Sequence, residues 1–94
     1  MKLIPLDASS WNVPDDFYEA LLPELGAPDW HGRNLNALDD SLYGGINRVE
    51  PPFRVVVAGT GTLGPEMRMF LAQVVEVFAD ARKRYGKDVA FDLV

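Results

Sequence analysis

The amino-acid sequence predicts an α/β fold: a three-stranded parallel β-sheet packed with α-helices in the order βααβαβ. Two observations carry that reading. The long segment Pro65 to Tyr85 repeats apolar residues with a 3.6-residue period, as a helix with one buried face does. Apolar, strand-like runs flank it, Phe53–Ala58 before and Val89–Leu93 after. Strands separated by helical crossovers pair in parallel, and such crossovers are right-handed. A chain of 94 residues is of the size that forms one domain, so residues 1–94 are read as a single unit.

Each element has its own signal. Lys2 to Leu6 reads as a short strand, and Pro5 within it lacks a ladder donor, which places it at a sheet edge. Pro14 opens the first helix, with Asp15 and Asp16 near the positive end of its dipole. Phe17, Leu21 and Leu25 recur at helical spacing, and Pro23 is expected to end the regular helix near Leu22. Gly26 to Gly32 reads as a loop. The second helix spans about Asn34 to Tyr43 on a stripe of Leu35, Leu38 and Leu42, and stops at Gly44-Gly45.

Pro51-Pro52 interrupts the chain before Phe53–Ala58. That strand has β-branched residues on both alternations, the pattern of a central strand covered on both faces. In the third helix the apolar stripe is Met67, Phe70, Leu71, Val74, Val77, Phe78, Ala81 and Tyr85, and Gly86 caps it. The expected strand order is first, second, third.

Composition removes several classes of function. Hydrophobic residues make up 48% of the chain and charged residues 24%, so it is neither disordered nor low in complexity. No cysteine is present, which excludes disulfides, thiolate zinc sites and a cysteine nucleophile. Apolar runs are far too short for a membrane span, and Asp7 comes too early for a signal peptide, so a cytoplasmic, soluble protein is expected. The formal charge of −5 argues against direct nucleic-acid binding, which depends on cations. The charge is also uneven. Eight acids and two bases precede residue 48, a net of −6, whereas six acids and seven bases follow, a net of +1. A negative first half attracts a cationic partner.

Three sites are candidates for function. Gly59-Thr60-Gly61-Thr62-Leu63-Gly64 is a literal G-x-G-x-x-G between a strand and a helix, the setting of a nucleotide-binding loop. Against it, Pro65 starts the helix only after the last glycine, and no ribose-binding acid ends a following strand about 20 residues on. His31, the single histidine, lies in a loop expected to be exposed; with Asp29, Asp39 or Asp40 it would make a general base. No nucleophile elbow or metal-binding histidine pair accompanies it, and Asp39 and Asp40 diverge by about 100° on a helix, a poor magnesium clamp.

The third candidate is an interaction face. Asn36, Asp40 and Tyr43 lie opposite the leucine stripe, with Asp39 at their flank. Trp30 precedes them in the loop, either as an outward aromatic anchor or folded into the core.

The segment from Pro28 to Gly44, Pro-Asp-Trp-His-Gly-Arg-Asn-Leu-Asn-Ala-Leu-Asp-Asp-Ser-Leu-Tyr-Gly, resembles the central motif of the barstar family. That motif runs Pro, any residue, aromatic, aromatic or His, Gly, any residue, Asn, Leu, Asp or Asn, Ala, Leu, then an acid in the next turn. Members are intracellular inhibitors of barnase-type ribonucleases. The resemblance implies a barstar-like fold, no catalysis and no cofactor or metal. It also implies a one-to-one complex with a basic ribonuclease whose active site is plugged by the second helix and its preceding loop. Asp40 matches the phosphate-mimicking carboxylate. Trp30, His31 and Gly32 fall in the contact loop, Asn34 at the helix start, and Tyr43 and Gly44 at the contact positions ending the helix. Asp80 aligns by element order with a further family carboxylate.

Two positions depart from the best-known member. Asn36 replaces an acid, and Asp39 replaces a large aromatic. Arg33 adds a cation at the helix start, expected to meet an acid on the partner. The target expected is therefore a ribonuclease of its own or, alternatively, a toxin that is not a ribonuclease, with this chain as its immunity protein.

Overall fold

The computed structural model describes residues 1–94 and runs β1 (Lys2–Asp7), α1 (Pro14–Leu25), α2 (Leu35–Gly44), β2 (Phe53–Ala58), a one-turn 3-10 segment (Thr60–Thr62), α3 (Pro65–Tyr85) and β3 (Val89–Leu93). The three strands form one parallel sheet in the order β1-β2-β3. Lys2 lies opposite Phe53 and Asp7 opposite Ala58, while Phe53 lies opposite Val89 and Val57 opposite Leu93. Pro5 sits on the edge strand β1, where its missing N–H leaves no central ladder bond unmade.

The sheet is covered on one face, which corrects the expectation for β2. Ile4, Leu6, Phe53, Val55, Val57, Val89 and Phe91 are buried, whereas Leu3, Pro5, Arg54 and Ala58 are exposed and Val56 is half-buried. The reason is topological. Right-handed crossovers that step steadily from β1 to β2 to β3 deliver every helix to the same side. The open face carries a polar pair instead, Arg54 Nε to Asp92 Oδ2 at 3.0 Å.

The helix α1 also runs longer than Pro23 implied. It continues to Leu25 and ends at Gly26, which takes a left-handed φ of 64°. Gly26 N–H donates to Pro23 O and Ala27 N–H to Leu22 O, both at 3.0 Å, so the freed carbonyls are satisfied. Pro23 removes one backbone bond in the last turn only. Burial of Leu21, Leu22 and Leu25 contributes about 1.5–3 kcal/mol each, more than that loss costs. At the other end, the Asp16 carboxylate accepts from Asn12 N–H at 2.7 Å and Val13 N–H at 3.2 Å.

Phe17 centres the core, with edge-to-face contacts to Trp11, Tyr18, Phe70 and Phe91 at ring separations of 5.1–6.0 Å. Of the stripe expected on α3, Val77 and Tyr85 are only half-buried. Tyr85 belongs to a different contact, described below.

Candidate partner-binding face

The loop between α1 and α2 is held at both ends. Arg48 N–H donates to Gly26 O at 3.2 Å and Val49 N–H to Leu25 O at 3.0 Å, strapping the later chain onto its start. A Cβ on Gly26 would stand 2.7 Å from Arg48 Cβ, so the close approach requires glycine there. A turn follows, closed by His31 N–H to Pro28 O at 2.9 Å. Trp30 at its tip is 73% exposed, which decides between the two readings in favour of an outward anchor.

His31 does the opposite. It is 7% exposed, not the surface residue expected. Its Nδ1 stands 2.7 Å from Gly32 O, and a carbonyl only accepts, so Nδ1 carries the proton. No carboxylate bonds to the ring, and Nε2 has no partner. The His–Asp base considered from the sequence is therefore not assembled. A Cβ on Gly32 would lie 3.0 Å from Ala37 Cβ and 3.1 Å from Asn34 Nδ2, so this glycine lets the loop run against the first turn of α2.

Arg33 also corrects an expectation. Its Nη1 bonds both oxygens of Asp15 at 2.9 Å and Glu19 Oε1 at 3.1 Å, so its acids are on α1 of the same chain. Asp15 and Glu19 are one turn apart and share a helix face. These bonds, those to Asp15 above all, raise the pKa of Arg33. The next residue, Asn34, caps α2, its Oδ1 accepting from Ala37 N–H at 2.8 Å. The start of α2 is thus fixed to α1 by a side-chain bridge and to itself by a cap.

Along α2 the leucine stripe divides the faces as expected. Leu38 and Leu42 are buried and Leu35 half-buried, while Asn36, Asp40 and Tyr43 are exposed. Gly44 is the last helical residue, and Gly45 closes the helix with a φ of 67° and its N–H on Ser41 O at 3.0 Å. Asp40 is free of ion pairs, as the chain's three bridges all lie elsewhere.

Asp39 is held, not free. Its Oδ2 accepts from Tyr85 Oη at 3.0 Å, and the Tyr85 ring meets Tyr43 edge-on at 4.7 Å. The bond to Asp39 is the main reason the Tyr85 pKa is raised. This contact joins the end of α2 to the end of α3 across 46 positions of sequence. Tyr85 falls on the apolar period of α3, and no local pattern marks its pairing with a residue so far away. Asp80, half-buried on α3, makes no hydrogen bond or ion pair with α2.

The glycine-rich loop has a structural task of its own. Gly59 takes a φ of 75°, and a Cβ there would lie 2.7 Å from Asp7 Oδ1. That carboxylate, bonded to Ser9 N–H at 3.0 Å, sets negative charge against the loop, the reverse of what a pyrophosphate needs. Helix α3 starts at Pro65, after the last glycine, as the sequence indicated. No cluster of three or more His, Asp or Glu side chains is arranged to hold a metal ion, and no helix is long and apolar enough to cross a membrane.

The fold is a two-layer α/β arrangement whose second helix, capped at its start, carries the unpaired Asp40 beside the outward Tyr43, with Trp30 exposed in the loop before it. The chain is a member of the barstar family: the family model Barstar (barnase inhibitor) matches residues 1–94, the whole chain. No curated protein matches the chain closely enough to count as a relative.

Proposed function

We propose that this protein is a stoichiometric inhibitor of a basic ribonuclease, occluding the enzyme's active site with α2 and the loop before it. The observation that carries the reading is Asp40: an exposed carboxylate with no ion pair, on a helix fixed at both ends, in a family of barnase inhibitors. Such a group stands in for an RNA phosphate by accepting charge-assisted hydrogen bonds from Arg, Lys or His⁺. Trp30 and Tyr43, 73% and 62% exposed, supply aromatic contact, and Asn34, Asn36 and Gly44 complete the face. Asp80 on α3 adds a further carboxylate toward the same partner. The acidic first half steers a cationic enzyme, so association should slow with added salt.

A second target class is favoured by Asn36 and Asp39. Asn36 lacks the charge that the best-known member carries there, and Asp39 places a carboxylate, engaged by Tyr85, where that member has an aromatic, so the charge facing the partner is differently distributed. The target pocket would then place its cations differently, as in a toxin that is not a ribonuclease. Capture with this protein as bait, at low and then moderate salt, separates the two. A basic protein that is silent as a ribonuclease while bound and active after release supports the inhibitor. A captured toxin without ribonuclease activity at any stage supports the immunity protein, and capture of nothing basic removes both.

A further inference from the structure

We propose that the cleft between α1 and the loop preceding α2 is a second recognition point that receives a cationic side chain, lysine or arginine, from the protein partner; this rests on the partner-binding reading above. The cleft has a volume of about 320 Å³ and is walled by Tyr18, Glu19, Leu22, Asp29, His31 and Arg33. Three buried side-chain atoms in the whole chain lack a hydrogen-bond partner, and two of them, Tyr18 Oη and His31 Nε2, belong to residues that line this cleft and lie just beneath its accessible surface. Tyr18 is 2% exposed and His31 7%. Unpaired buried polar groups are costly, and native proteins keep few without a reason.

The chemistry of the wall selects the ligand. Because Nδ1 of His31 donates to Gly32 O, the neutral ring offers a lone pair at Nε2. The Tyr18 hydroxyl also accepts, and burial keeps it un-ionised by raising its pKa to about 12. Asp29 and Glu19 add carboxylates, and Asp29 has no ion pair. The one cation present, Arg33, is committed to Asp15 and Glu19. The two carboxylates and the available lone pairs oppose an anion and suit an ammonium or guanidinium group with three to five N–H donors. Leu22 lines the apolar part of the cleft, where the stem of such a side chain packs. At the rim, Arg33 and Glu19 are both exposed and joined by one hydrogen bond of 3.1 Å.

The test uses the intact ¹⁵N-labelled chain without any partner. It is titrated with N-acetyl-lysine methylamide and N-acetyl-arginine amide, with the uncharged N-acetyl-norleucine amide as control. Saturable shifts at Asp29, Trp30 and His31 with both cations, moving ring Nε2 more than Nδ1, are expected. Asp29→Asn, an exposed substitution, should weaken both about threefold. Equal shifts with norleucine would make the cleft a plain apolar groove. Shifts confined to Asp39 and Asp40, or none up to the solubility of the probes, would mean that ordered water fills the cleft, and would overturn the proposal. Either failure leaves capture of a nuclease through Asp40 untouched, so the two readings fail separately.

Discussion

The two ends of α2 are secured in different ways, and the difference explains which charges remain for a partner. At the start, the cation Arg33 is neutralised within the chain by Asp15 and Glu19, and the helix is pinned to α1. At the end, the tether is a neutral tyrosine, Tyr85, which bonds Asp39 without cancelling its charge. The start therefore presents an outward ring, Trp30, and the helix beyond it presents negative charge, Asp39 and Asp40. A tyrosine with a raised pKa also lies near each end, for unlike reasons: Tyr18 through burial, Tyr85 chiefly through its bond to Asp39.

The sharpest way to break this division is at Asp40. Asp40→Ala should weaken partner binding by about 3 kcal/mol or more, on the order of 100-fold in Kd, with the melting temperature unchanged. Titration calorimetry checks it. Binding left intact by Asp40→Ala combined with Trp30→Ala would remove the whole face from consideration.

Next in size is an alkaline effect that tells the two tyrosines apart. A buried Tyr18 that ionises only near pH 12 keeps its proton in the folded chain after the unfolded chain loses it near pH 10. Stability from this group is thus intact below pH 10 and lost as pH rises through 12, by about 3 kcal/mol in all. Urea unfolding from pH 8 to 11.5 should show the decline, and Tyr18→Phe should flatten most of it. An unchanged slope in that variant would assign the effect to Tyr85 instead.

Smaller again is Tyr85→Phe. It frees Asp39 while keeping the ring against Tyr43, so affinity should change by about 1 kcal/mol while Tm moves little. A variant indistinguishable from the parent in binding would reduce the tether to a packing contact. The smallest expected effect is Arg33→Ala. Its bridges are half-exposed, at 46% for Arg33 and 56% for Asp15, so the stability loss should stay below about 1 kcal/mol and fade with salt. A larger, salt-insensitive loss in thermal melts would show that the start of α2 depends on this bridge more than exposed ion pairs allow.

Much of this was legible along the chain because the signals are local. Helical spacing of leucines placed α2 and divided its faces, and the glycines at 44 and 45 marked its end to within one residue. The Pro28 to Gly44 motif pointed to the family that the whole chain matches. Errors came where a local rule met a distant contact. Pro23 reads as a stop, yet packing of Leu22 and Leu25 carries α1 past it. His31 reads as exposed, yet the folded loop buries it.

Sequence alone thus determined the elements and their order through local spacing, the parallel pairing through the helical crossovers between strands, and the acidic bias of the first half through composition. Tertiary structure alone decided that the sheet has one open face, that Arg33 serves α1, that Asp39 is held by Tyr85 and that Tyr18 and His31 share a cleft. Those are contacts between residues 13 to 46 positions apart, and nothing in the spacing of either partner encodes where the other will lie.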